Sequence, residues 1–178
     1  DSLQIFYQGI PAAAGFGTFS ISSHQGVPVM WTLSEPYGSK DWWPCRNGLE
    51  DKADSMDAII TTPQQYFASS NGLLQDESVA NGKRTVWWKH RHPIASYLVA
   101  IAATNYEIRK DTIQLADRTL TLEHYTYPEW RLVWESSIND TRYIMRLLTQ
   151  WVGPYPFSDE KYAHTQVSFG GGMEHQTM

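Results

Sequence analysis

Over the first two-thirds of the chain, apolar residues come in short alternating runs broken by turn formers. These runs occupy Leu3–Tyr7, Gly15–Ile21, Val27–Leu33, Met56–Thr61, Arg84–Lys89, Tyr97–Ala103 and Leu120–Tyr127. A period of two is the pattern of strands that bury one face. Between the runs stand Gly9-Ile10-Pro11, Asn47-Gly48, Asn71-Gly72 and Asn81-Gly82. An Asn-Gly pair reaches positive φ at little cost and predicts a hairpin. Strands at this spacing predict an antiparallel sandwich or a saddle-like sheet.

The period changes near Pro128. From Glu129 to Trp151 the apolar residues fall at helical spacing, with Trp130, Trp134, Ile138, Met145, Leu148 and Val152 on one stripe. Pro128 suits a first turn, and Gly153-Pro154 ends the helix. The stripe predicts a core-facing side. A rigid Tyr155-Pro156-Phe157 loop follows, then a strand over Tyr162–Phe169 and a glycine run. The change of period places a domain boundary at about residues 122 to 128, giving an all-β part over 1–125 and a second part over 126–178. The chain opens directly on a strand-like run and stops soon after Gly172-Met173-Glu174, so both ends read as cut. There is no internal repeat, low-complexity tract or signal peptide.

Composition changes this picture little. With 178 residues, 42% hydrophobic and 19% charged, the chain can bury a core of ordinary size. A net charge of −5 points to neither nucleic acid nor an anionic membrane as partner. No apolar run reaches the ~20 residues of a membrane span. The 8 Trp and 10 Tyr imply a large aromatic core or an aromatic-lined cleft, the core being the commoner use. Cys45 is alone, so no internal disulfide forms, and the compartment stays open. His90 and His92 would share a strand face, but two ligands without a third are not a metal site. His24, His124 and His164 read as isolated structural or surface residues. A Walker lysine, a Rossmann fingerprint and a Gly-x-Ser-x-Gly elbow are all missing.

Candidate chemistry concentrates at Gly170-Gly171-Gly172-Met173-Glu174. Three glycines bare the backbone just after a strand and let another chain approach its N–H and C=O groups. A carboxylate follows at once. Bare backbone plus a fixed carboxylate suits an extended peptide with a free ammonium group. On the glycines alone, a turn followed by a solvated glutamate accounts for the same residues more simply.

The wider context adds a resemblance. Gly171-Gly172-Met173-Glu174-His175 resembles the exopeptidase motif of the aminopeptidase N family of zinc metallopeptidases. Leu33-Ser34-Glu35-Pro36 is similar to that family's Gln-x-Glu-Pro segment. Asp41-Trp42-Trp43-Pro44-Cys45, with Asp51-Lys52-Ala53 beyond it, is similar to its Phe-Pro-Cys-x-Asp and Lys-Ala segments. Tyr97-Leu98-Val99-Ala100 and Gly153-Pro154-Tyr155-Pro156-Phe157 match further elements, and all keep the family's order. The Trp-Trp-Pro-Cys version looks like a bacterial branch.

The resemblance implies a mainly β N-terminal domain followed by the α+β start of a thermolysin-like catalytic domain. It implies that Glu174 and Glu35 bind the α-ammonium group of a peptide substrate, with Gly171, Gly172 and Met173 lining the peptide through their backbone. Two carboxylates around one cation reject ligands without a free amine, since the buried anions would stay unpaired. Three departures stand out. Leu33 replaces a pocket-lining Gln, His175 replaces an Asn, and Arg46-Asn47 replaces an acidic stretch. The family binds zinc through His-Glu-x-x-His and a later Glu, and no His-Glu-x-x-His occurs in this sequence. Zinc therefore belongs to the complete enzyme. This chain is expected to bind none, to supply no catalytic residue, and to be inactive without the remainder of the catalytic domain. Some members also hydrolyse epoxides. The competing reading is a non-catalytic β-sandwich binding or interaction module, which leaves the Gly-Gly-Met-Glu run unexplained.

Overall fold

The computed structural model describes residues 2–11, 18–115 and 118–178. Ten strands and one long helix make up its regular structure among these residues. In chain order they are β1 (Phe19–His24), β2 (Val27–Thr32), β3 (Met56–Pro63), β4 (Phe67–Ser70), β5 (Leu73–Ala80), β6 (Lys83–His90), β7 (Ile101–Thr104), β8 (Glu107–Gln114), β9 (Thr119–Thr126), α1 (Arg131–Val152) and β10 (Lys161–Thr165). They form three sheets, ordered β1-β2-β7-β4, β3-β6-β5 and β10-β9-β8. The molecule is thus mainly β, and every strand pair is antiparallel except β9 with β10.

An aromatic cluster joins the three sheets. Phe67 of β4 stacks on Tyr125 of β9 with ring centroids 5.8 Å apart, and Trp88 of β6 meets both edge-on at 6.2 and 6.4 Å. Offset and T-shaped contacts of this kind are the arrangements that aromatic quadrupoles favour. Val29, Val86 and Ala102 complete this core. Of the Trp and Tyr residues, Trp31, Trp88, Tyr106, Tyr125 and Tyr127 are buried in this interior, while Trp87, Trp130, Trp151, Tyr7, Tyr37 and Tyr143 are exposed. A smaller cluster of Ile113, Leu120, Leu122 and Met145 seats α1 on the β8–β9 sheet.

Turn chemistry explains the hairpins. Asn81 and Gly82 both take positive φ, 53° and 73°, in the tight β5–β6 connection, as the sequence leads one to expect. Gln25 and Gly26 do the same between β1 and β2. Asn71-Gly72 behaves differently. It links β4 to β5, which lie in different sheets, so it is a crossover turn rather than a hairpin. Asn47-Gly48 sits in an irregular loop.

Several expectations need correction. Leu3–Tyr7 forms no strand, and Leu3 and Phe6 are exposed. The run at Gly15–Ile21 appears as β1 starting at Phe19, while 15–17 lie outside the described residues. The strand expected at Tyr97 begins only at Ile101, because Ser96–Leu98 is a single 3-10 turn. β10 ends at Thr165 rather than Phe169. On α1, Met145 is buried and Trp134 and Ile138 are half-buried, but Trp130, Leu148 and Val152 are exposed. The stripe is a core face over only part of its length.

The aromatic cluster makes a direct prediction. Trp88 is fully buried and donates Nε1–H to the Ala68 carbonyl at 2.9 Å. Trp88→Ala removes ring contacts to two sheets and should lower unfolding free energy by about 3–5 kcal/mol, read from urea denaturation.

Candidate functional site

The site is assembled around the crossover turn Ser70-Asn71-Gly72. Gly72 has φ +81°, and a Cβ there would lie 2.1 Å from the Lys89 carbonyl oxygen, so only glycine fits. The Asn71 side chain is fully buried. Its Nδ2 donates to the carbonyls of Leu98 at 3.0 Å and Gln176 at 2.6 Å, and its Oδ1 accepts the Ala100 N–H at 2.8 Å. The Gly72 N–H donates to Thr177 Oγ1 at 2.7 Å. Lys161 reaches the turn from β10, donating Nζ–H to the carbonyls of Ser70 at 2.9 Å and Gly72 at 2.5 Å. Its ammonium also lies 4.5 Å from the Trp88 ring centroid. Burial pushes the Lys161 pKa down to about 8, against the opposing pull of Glu123 and Glu160.

This turn fixes two backbone segments that carry candidate residues. One is the 3-10 turn bearing Tyr97, and the other is the irregular segment bearing Glu174. Glu35 arrives from the loop after β2 and is exposed, as is Glu174. Both carboxylates act on one group: burial first, then the negative charges of Glu174 and Glu35, push the Tyr97 phenol above its ordinary value. The two carboxylates stand 139 positions apart in sequence, and both lie within electrostatic reach of the half-buried Tyr97. Reading the sequence missed Tyr97 as a site residue, because its apolar neighbours read as a strand. The only available signal was a polar tip in an otherwise apolar run.

Gly171, Gly172 and Met173 face a neighbouring cleft of about 380 Å³, walled by Trp31, Trp134, His164, Phe169 and His175 among others. Glu35 and Glu174 are not among its walls. Gly171 takes φ +101°, and positions 171 and 172 have no atoms within 4 Å of a would-be Cβ. Their backbone is exposed and belongs to no sheet. His175 stands where its Nε2 is buried without a hydrogen-bond partner, and burial pushes its pKa down to about 4.

The other five histidines are all partnered, and His24 pairs with Glu129 and stacks on Tyr127. His90 Nδ1 pairs with Glu160 Oε2 at 2.6 Å, both buried, and His92 Nε2 with Asp159 Oδ1 at 2.9 Å. These two pairs tie the end of β6 to the loop before β10. His124 and His164 meet Nδ1 to Nδ1 at 3.4 Å beneath Trp134, and Tyr162 bonds His164 at 3.0 Å.

No protein-family model matches this chain, and no curated protein sequence matches it. Solved structures do. An M1 zinc metallopeptidase from Deinococcus radiodurans superposes with a TM-score of 0.70 at 24% identity, over 84% of this chain and 34% of its own. A variant of the enzyme from that organism bound to Tyr-Ser-Ala gives a TM-score of 0.76 at 23% identity, over 95% and 39%. A two-domain M1 variant bound to L-arginine gives 0.72 at 24%, over 92% and 38%. This chain has the M1 zinc metallopeptidase fold. It spans a little over a third of the length of those M1 chains.

Zinc does not fit the residues present. Among the described residues no group of three or more His, Cys, Asp and Glu is placed to hold a metal ion. His90 and His92 each spend one ring nitrogen on a carboxylate, and His124 and His164 face each other with Trp134 packed on both rings, while Nε2 of His90 and of His124 is buried with no hydrogen-bond partner.

The His124 contact sets a pH dependence. Burial first, then His164, lowers the His124 pKa from 6.5 to about 4, outweighing Asp111 and Glu123. Between those two values the unfolded imidazole holds a proton that the folded one does not. Stability from this group is therefore complete above about pH 6.5 and is lost as pH falls toward 4. Urea midpoints should drop across that window, and His124→Phe should flatten the slope. An unchanged slope in the variant would show that the effect arises elsewhere.

Proposed function

We propose that this chain is the substrate-anchoring part of a zinc aminopeptidase of the M1, or aminopeptidase N, family. The observation that carries the reading is that the negative charges of Glu35 and Glu174 both act on Tyr97. Two carboxylates in reach of one group favour a cation there, and a peptide's α-ammonium group is the cation that the nearby bare backbone suits. Gly171, Gly172 and Met173 then contact the peptide through main-chain groups. Three further points support this: the ordered motif matches from Leu33 to His175, the shared fold, and a peptide-bound structure among those with that fold.

In this reading the parent enzyme removes N-terminal residues from peptides. The residues of this chain orient the substrate and do not break the bond. Residues 1–125 form the β-rich N-terminal domain, and 126–178 open the catalytic domain. Zinc and the water it activates belong to the remainder of the catalytic domain, which is the natural partner of this part.

The test uses Tyr-Ser-Ala and N-acetyl-Tyr-Ser-Ala, titrated into the chain and followed by NMR. The free amine should bind at least ~10-fold tighter, the scale of one charge-assisted hydrogen bond, and Glu174→Ala should erase the difference. Equal binding of the two peptides would sink the reading. Added zinc should produce no release of p-nitroaniline from leucine p-nitroanilide by this chain, and measurable turnover would contradict the division of labour.

A further inference from the structure

We infer that Asn71 is the positioning residue of this amine site: its carboxamide holds the Tyr97 segment and the Glu174 segment in one fixed relation. The inference rests on the function proposed above and adds a residue to it. Asn71 touches no substrate in this scheme and acts through the backbone on either side of it.

The geometry is specific to a carboxamide. Leu98, whose carbonyl takes one Nδ2–H, directly follows Tyr97, and Gln176, whose carbonyl takes the other, lies two residues after Glu174. The Ala100 N–H closes the third bond on Oδ1. Asn71 thus spends both donors and its acceptor on two chain segments that do not pair with each other as strands. The sheets do not depend on it, because β4 pairs with β7 in register from Phe67↔Thr104 to Ser70↔Ile101, with the Ser69 and Ser70 hydroxyls donating to the Ala102 and Ala100 carbonyls besides. The Glu174 segment, in contrast, lies outside every sheet and helix. Its anchors are the Asn71 bond, the Gly72 N–H to Thr177 bond, and a longer Gln176 bond to the Pro93 carbonyl at 3.2 Å. Two of those three come from the one turn.

Aspartate at this position has the same shape and can still accept from Ala100, but it has no N–H to give. It would face the carbonyls of Leu98 and Gln176 with a carboxylate, while nearby Lys161 offsets part of the added charge. Asn71→Asp therefore cuts the link and leaves the sheets.

The experiment measures the affinity ratio of Tyr-Ser-Ala to its N-acetyl form, together with hydrogen exchange, in the unaltered chain and in Asn71→Asp. We expect the ratio to fall at least tenfold, exchange to rise over residues 172–178, and β6 and β9 to keep their protection. A purely structural role would lower the melting temperature and leave the ratio untouched, and that result overturns the inference. So does unchanged exchange over 172–178. If Asn71→Asp fails to fold, Thr177→Val removes the acceptor of the Gly72 N–H and must lower the ratio in the same direction. An unchanged ratio there also overturns the inference. A ratio of one in the unaltered chain instead overturns the amine-site reading itself, which separates the two failures.

Discussion

The constraint on which the candidate site depends is the hydrogen-bond satisfaction of one buried turn. Asn71 and Gly72 lie between the end of β4 in one sheet and the start of β5 in another, so their polar groups are not served by a strand ladder. A buried amide left unpaired costs roughly 1–3 kcal/mol, and this turn contains several. The chain meets the demand with a lysine from β10, an asparagine side chain and a threonine hydroxyl. The ammonium of Lys161 is acceptable in the interior because two carbonyls and the Trp88 ring surround it. Two of the bonds that satisfy the turn, Asn71 to Gln176 and Gly72 to Thr177, also order the Glu174 segment.

Much of this could be read from the sequence, and what could not has physical reasons. Of the strands that could, β2, β6 and β9 are central in their sheets, and β3, at an edge, alternates between half-buried and exposed positions along its whole length. The strands missing from the sequence reading are β4, β5 and β8, and each lies at a sheet edge. Leu73–Ala80 is mostly exposed, and Glu107–Gln114 is rich in charge, as edge strands that resist further pairing tend to be. Phe67–Ser70 is simply short. Leu3–Tyr7 alternates correctly yet pairs with nothing among the described residues, since alternation reports a strand's fitness for a sheet and not the presence of a neighbour.

The site divides in the same way. Glu35, Gly171, Gly172, Met173 and Glu174, the residues proposed for the site, stand out in the sequence by motif type and order. Tyr97 and Asn71 do not, because their roles arise from contacts across 77 and 105 positions. Asn71-Gly72 was noticed as a turn signal, and the glycine does act as one. The asparagine beside it does something propensity cannot express, since its side chain works on segments remote in sequence.

The electrostatics explain why such fixing matters. In the proposed site two exposed carboxylates act on one phenol, and a mobile loop would let Glu174 move away from it. A ligand's ammonium would then have to draw the loop back before binding. A loop already held by Asn71 and Thr177 keeps the Glu174 segment in place beforehand, so in the proposed site an arriving cation meets a segment whose ordering cost has been met during folding. The same bonds that make the buried turn tolerable thus fix the backbone next to the carboxylate proposed to receive that cation.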